Sequence, residues 1–345
     1  VPRLDATVAT EVAPMSDVPQ EFVHKLDPDA VLLTGWRRTG ADTFEVTARR
    51  LRHHNFYLSR QGVHDPLMLS EMVRQLLPLL SHAAYGVPLG HHLIWDDFHY
   101  NFDAAALVTR GSSAELRLTV DCSGVTRRGA RVTAVPLRVE IFCGDRYLGE
   151  AGTRFTVHSP TVYRRLRGAY GEVHRAMSDA IQPALPLSAS RVGKVSPYDV
   201  VLSPSRGPGR WQLCIDTGHS DLFDHPVDHA PGMLLLEAAR QAAQVVANPQ
   251  LVMPVAMHAD FHRYVELDAP CWVDAEILPA DGNHRSQVRV SMRQHNRVCF
   301  TADVTPELVP SPLSLSALRT TRPRGLHRPA RSTVRPSSGL IPSLR

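Results

Sequence analysis

Lysine is nearly missing from this chain. Of 38 lysines and arginines among 345 residues, only Lys25 and Lys194 are lysines. Other absences exclude whole classes of protein. No stretch approaches the roughly 20 consecutive apolar residues that cross a bilayer. Val1 to Asp17 lack the basic-then-apolar order of a secretion signal, so a cytoplasmic protein with no membrane partner is expected. The five cysteines, Cys122, Cys143, Cys214, Cys271 and Cys299, show no CxxC spacing. They read as small core hydrophobes in a reducing compartment, not as disulfides or zinc ligands. There is no GxSxG elbow, GxGxxG or P-loop, which disfavours a serine esterase or a nucleotide enzyme. Acidic residues are missing from the tail Leu318 to Arg345, which carries seven arginines. Pro, Ser and Arg dominate from about Pro310 onward without any period, so 309–345 is expected to be a disordered basic tail. With the net charge of +4 concentrated there, a nucleic-acid-binding domain is disfavoured.

What is present is a repeat. Val23-His24-Lys25-Leu26-Asp27-Pro28 parallels Val192-Gly193-Lys194-Val195-Ser196-Pro197. Glu71-Met72-Val73-Arg74-Gln75 parallels Glu237-Ala238-Ala239-Arg240-Gln241, and Asp97-Phe98-His99 parallels Asp260-Phe261-His262. The offsets are 169, 166 and 163 residues. Three ordered matches at a slowly drifting offset indicate tandem duplication, with loop insertions causing the drift. An N-terminal extension (1–22), a first repeat (23–158), a linker with some helix (159–189), a second repeat (190–308) and the tail are expected.

Each repeat has the same coarse order. A strand (Thr43 to Arg50; Arg210 to Asp216) precedes a polar, histidine-rich loop. An apolar helix then starts near Pro66 or Pro231, proline being suited to a first helical turn. These helices are apolar nearly all round and must be buried. Alternating strands follow, at Ala114 to Val120, Arg131 to Phe142 and Thr153 to Val157, then at Trp272 to Ile277, Gln287 to Met292 and Val298 to Val304. One buried helix wrapped by an antiparallel sheet, twice, is an α+β architecture. His91, His92, His99 and His262 fall at or near strands and read as core or pocket-wall residues.

Spacing of i, i+3 and i+4 puts Glu71, Arg74 and Gln75 on one helix face, and likewise Glu237, Arg240 and Gln241. Charges on a buried helix are costly unless paired or facing a cavity. They read either as a structural anchor or as a carboxylate for acid–base work beside a guanidinium for phosphate. Burial is expected to raise the Glu237 carboxyl, with Arg240 opposing the shift. The preceding loops hold His64-Asp65-Pro66 and Asp224-His225-Pro226-Val227-Asp228-His229-Ala230-Pro231-Gly232. Asp65 or Asp228 could cap a helix, and the helix-start amides could hold an oxyanion. Gly232 is expected to let a thioester approach those amides closely. Pro226 disfavours a metal pair from His225 and His229. Lys25 and Lys194 read either as solvated surface lysines or as point charges that recognise a phosphate or phosphopantetheine.

These motifs are similar to those of the AfsA family of A-factor biosynthesis. Val23-His24-Lys25, His64-Asp65-Pro66-Leu67, Glu71, Arg74-Gln75 and Tyr85-Gly86-Val87-Pro88-Leu89-Gly90 resemble its first repeat. Phe223 to Glu237 resembles its second repeat, and Tyr163-Arg164-Arg165-Leu166-Arg167-Gly168 its inter-repeat segment. The match spans roughly Val23 to Glu307. Pro231-Gly232 followed by Glu237 also resembles hotdog acyl-carrier dehydratases, but the histidine spacing departs from theirs. The resemblance implies a tandem double hotdog, as a monomeric pseudo-dimer or a homodimer. It implies transfer of a β-ketoacyl group from acyl carrier protein to the hydroxyl of dihydroxyacetone phosphate, with no cofactor or metal. On that reading Glu237, His225, His229, Glu71 and His64 are the catalytic candidates. Arg240, Arg74, Gln241, Gln75, Lys25, Lys194, Gly232, Asp228 and Asp65 are the substrate-binding ones. A hotdog thioesterase or dehydratase, and a non-catalytic acyl- or lactone-binding protein, are the competing readings.

Overall fold

The computed structural model describes residues 14–50, 56–57, 62–109, 115–279 and 286–309. The expected basic tail lies outside the described residues, as does the extension as far as residue 13. From residue 14 the extension is tied in, because Ser16 and Trp36 exchange backbone hydrogen bonds of 2.8 and 2.9 Å.

In the first repeat, strands β1 (Leu33–Arg38), β2 (Thr43–Arg49), β3 (His92–Phe102), β4 (Glu115–Asp121), β5 (Thr126–Arg128), β6 (Arg131–Cys143) and β7 (Arg146–His158) wrap helix α1 (Pro66–Ala83). Helices α2 (Pro160–Arg167) and α3 (Val173–Ser178) follow. The second repeat has β8 (Leu202–Pro204), β9 (Arg210–Leu213), α4 (Gly232–Ala247), β10 (Val252–Phe261), β11 (Trp272–Leu278), β12 (Gln287–Gln294) and β13 (Arg297–Leu308). Helix α1 starts where the sequence says it should. Pro66 occupies its first turn, and the Asp65 carboxylate accepts from Leu67 N at 2.8 Å. Both long helices are buried as their composition demands. Across 66–82 only Arg74 escapes full burial, and across 233–244 only its counterpart Arg240.

The strands form one continuous sheet in the order β1-β2-β4-β6-β7-β3-β10-β13-β12-β11-β9-β8, with β5 an extra strand on β6. The second half of that order is the first half reversed, strand for strand. This is the tandem double hotdog. The two units join by antiparallel pairing of β3 with β10, in a register that sets Asp97 opposite Asp260. Those residues are each other's repeat counterparts, so the pseudo-twofold axis passes between them.

Of the strands that the sequence pattern does not announce, β3 and β10 are the longest. Their outward positions carry Asp97, His99, His258 and Asp260, while Phe98, Tyr100 and Phe102 of β3 and Val255, Met257 and Ala259 of β10 point inward. Joining the sheets brings α1 against β10 and α4. The loops before the two helices therefore face across the seam, each toward the other repeat.

Candidate active site

The Glu-Arg-Gln face of each helix is a closed cluster. Glu71 accepts from Arg74 Nε at 2.7 Å and Nη2 at 2.8 Å, and from Gln75 at 2.9 Å, with Lys25 at 3.3 Å. Glu237 accepts from Arg240 Nε at 2.9 Å and Nη2 at 2.7 Å, and from Gln241 at 2.7 Å, with Lys194 at 3.2 Å. Each glutamine also splices its repeat's N-terminal segment onto the helix. Gln75 donates to Ala30 O and accepts from Leu32 N, while Gln241 donates to Asp199 O and accepts from Val201 N. The lysines are thus neither solvated nor free, but buried partners of the glutamates.

One balance left open by the sequence is decided here, and two expectations change. Burial pushes the Glu237 carboxyl up, but Arg240 and Lys194 outweigh it and hold it down at about 2. Glu71 is likewise held at about 2 by Arg74 and Lys25 against its burial. Of the two opposing effects at Glu237, the cations therefore prevail over burial. The guanidinium forks expected to grip a phosphate face their own glutamates through Nε and Nη2. Gly232 offers no open approach, because a Cβ built there would lie 2.5 Å from two ring carbons of Trp95. The indole of β3 covers that backbone.

Each cluster is closed by the opposite repeat, where the motif spacing pairs each helix with its own preceding loop. The Asp224 carboxylate accepts from Leu26 N at 2.7 Å and Asp27 N at 3.2 Å, beside Lys25 of the first repeat. Burial alone would raise Asp224, but those amides and Lys25 hold it low. Conversely, Lys194 donates to Phe56 O at 2.9 Å and lies 3.9 Å from the centre of the Phe56 ring. Asp65, while capping α1, feels Lys194, Arg240 and Glu237, yet burial still raises its carboxyl.

The remaining candidates separate. His64 is wholly buried with both ring nitrogens unpartnered, and burial, with Arg50 and Arg146 nearby, lowers it to about 4. His225 is partly exposed beside Asp224, with Nδ1 at 3.4 Å from its carboxylate. Asp228 caps no helix, since Pro231 is the N-cap of α4 and makes no side-chain cap bond. Its carboxylate lies 2.6 Å from His229 Nδ1 and accepts from Tyr163 Oη at 2.8 Å and Arg167 Nε at 2.9 Å. Arg167 also donates to both carboxylate oxygens of Glu266 at 2.7 Å. Burial would raise Asp228, but His229 and Arg167 hold it well below the usual carboxylate range. The result is an Asp–His pair whose imidazole is oriented by Nδ1 and partly exposed elsewhere on the ring. Sequence reasoning names Tyr163 and Arg167 only within a motif, and their spacing of one helical turn is the signal of a shared inward face. No spacing in the sequence points to Trp95, Phe56 or Glu266.

A cavity of about 170 Å³ lies near the start of α4, lined by apolar side chains such as Leu185, Val200, Leu222, Phe223 and Leu234 and by the polar Tyr198, Asp216 and His219, with neither Asp228 nor His229 in its wall. Among the described residues no helix is long and apolar enough to cross a membrane, and no group of three or more His, Cys, Asp or Glu could hold a metal.

The chain is thus a double hotdog with an Asp–His pair in the loop before α4. The chain matches the A-factor biosynthesis hotdog domain, AfsA, at residues 8–159 and again at 176–310, and it belongs to that family. A protein of Streptomyces virginiae named 2-oxo-3-(phosphooxy)propyl 3-oxoalkanoate synthase is 41% identical over 287 residues, covering 83% of this chain and 96% of its own. Proteins of the same name from Streptomyces griseus subsp. griseus and Streptomyces coelicolor are 36% and 37% identical, covering 87% and 82% of this chain and 94% and 89% of theirs.

Proposed function

We propose that this chain forms an ester between a 3-oxoacyl group, delivered as a thioester on acyl carrier protein, and the free hydroxyl of dihydroxyacetone phosphate. The observation that carries the site assignment is the 2.6 Å contact of His229 Nδ1 with Asp228. A carboxylate on Nδ1 fixes the tautomer and leaves Nε2 to take a proton, the arrangement of a general base. His229 removes the proton of the acceptor hydroxyl as its oxygen attacks the thioester carbonyl. The C–O bond forms, the C–S bond breaks, and the imidazolium returns the proton to the departing thiolate.

Glu237 and Glu71, fixed as anions, are positioning residues. They hold Arg240 with Lys194, and Arg74 with Lys25, and leave each guanidinium's Nη1 for the acceptor phosphate. Gln241 and Gln75 brace them, Asp65 closes the second cluster, and His225 at the first cluster is the reserve proton carrier. The acyl chain enters the cavity near α4. At about 170 Å³, it compares with an apolar cavity of ~150 Å³ that holds benzene, so it takes about six carbons. The units 23–158 and 190–308 act as an intramolecular pseudo-dimer in the cytoplasm.

Mass spectrometry of a mixture with a 3-oxoacyl carrier protein and dihydroxyacetone phosphate is the test, with the phosphorylated ester as the expected product. A folded His229→Gln protein should lose about 10²–10⁴ in rate. Release of free 3-oxo acid with no ester would assign a thioesterase instead.

A further inference from the structure

Helix α2 has two faces in different circumstances. Tyr163 and Arg167, one turn apart, are its only buried residues, and both grip Asp228. On the solvent side, Val162 and Leu166, also one turn apart, are 44% and 60% exposed. Arg164 and Arg165 lie between them in the chain, both exposed, and among the described residues neither makes an ion pair. Exposed large apolar side chains scattered singly need no explanation, but an adjacent pair edged by unpaired charges of one sign marks an interaction surface.

We propose that this outer face of α2 docks the acidic carrier protein that presents the acyl thioester. An amphipathic helix of the carrier lies along Val162 and Leu166, with its carboxylates on Arg164 and Arg165. The proposal rests on the acyl-transfer reading above. Its geometry is economical, because the inner face of the same helix holds Asp228, the partner of His229. A carrier seated on α2 stands about one helix diameter, ~10–12 Å, from that loop, and its tethered thioester has only to pass around the helix. Other occupants fit the charge poorly. The chain's own tail carries seven arginines and no acid. A second copy would set Arg164 and Arg165 against their own kind. Electrostatic complementarity of this sort governs encounter and partner choice.

The experiment uses the full chain and three probes. The first is a fluorescent 3-oxoacyl carrier protein, followed by anisotropy. The second is the same acyl group on N-acetylcysteamine, a thioester without a protein. The third is anionic phospholipid vesicles. Reversing both charges (Arg164→Glu with Arg165→Glu), and separately Leu166→Ser, should each weaken carrier binding by about tenfold or more. KM for the carrier-borne donor should rise in step. Turnover of the small thioester and KM for dihydroxyacetone phosphate should stay at wild-type values. Carrier affinity should also fall with added salt.

Unchanged carrier affinity in the folded variants would overturn the proposal. So would an equal loss with both donors, which would mean that α2 acts only by bracing Asp228. Loss of vesicle binding with carrier binding intact would assign the face to a membrane surface and overturn it as well. The binding arm needs no turnover. A chain that captured the carrier through α2 yet made no ester would refute the reaction and leave the docking face standing.

Discussion

Replacing Glu237 by glutamine should cost stability before it costs chemistry. The side chain is 1% exposed, and its carboxylate is held by Arg240, Gln241 and Lys194 at 2.7–3.2 Å. Glutamine keeps the shape but leaves two buried cations without a counter-ion. Removing one side of a buried pair costs about 3–5 kcal/mol. A second route gives the same scale, because a carboxyl lowered from 4.5 to about 2 contributes about 3 kcal/mol at neutral pH. With a urea slope of about 3 kcal/mol/M, the unfolding midpoint should fall by about 1 M. The sign with pH follows from the lowered carboxyl. Its contribution is complete above pH 4.5 and is lost as pH falls toward about 2. The gap between wild type and Glu237→Gln should therefore narrow over that window, and Glu71→Gln should behave alike because Glu71 is held at about 2 as well. Urea titrations followed by circular dichroism at several pH values make the measurement. A Glu237→Gln protein with the wild-type midpoint at pH 7, but no ester synthesis, would refute this reasoning and return Glu237 to the role of proton carrier.

Two further outcomes are expected. Gly232→Ala places a methyl 2.5 Å from the ring of Trp95, which is itself packed on Phe98 and Phe261, so it should destabilise by about 1–3 kcal/mol. Trp95→Leu should restore part of that loss in a thermal melt, and a melt unchanged by Gly232→Ala alone would contradict the contact. His64→Leu removes two buried, unpartnered ring nitrogens and should be neutral or stabilising. Because His64 is lowered from 6.5 to about 4, wild type loses stability as pH falls through that range, so the variant's advantage should grow there. A destabilised His64→Leu protein would sink this account, and a stable one that makes no ester would restore His64 to the catalytic set.

The sequence alone determined the duplication, the two helix starts and the contents of each helix face. Those features depend on spacing within one element or on matching between repeats. The Asp65 cap, the single unburied Arg74 and Arg240, and the proximity of Glu71 to Arg74 and Gln75 all follow from helical period and burial. What the tertiary structure decided is everything that crosses an element. β3 and β10 alternate like any half-buried strand, and nothing in that pattern states that they pair with each other, yet their pairing builds the seam and aligns Asp97 with Asp260. That seam hands Asp224 to Lys25 and Asp65 to Lys194, opposite to the pairing each repeat's own motif implies. The same assembly lays Trp95 over Gly232 and clamps Asp228 with Tyr163 and Arg167, more than 60 positions earlier in the chain. Whether a buried glutamate is a raised acid or a fixed anion turns on how many cations fold around it, and no local spacing states that number.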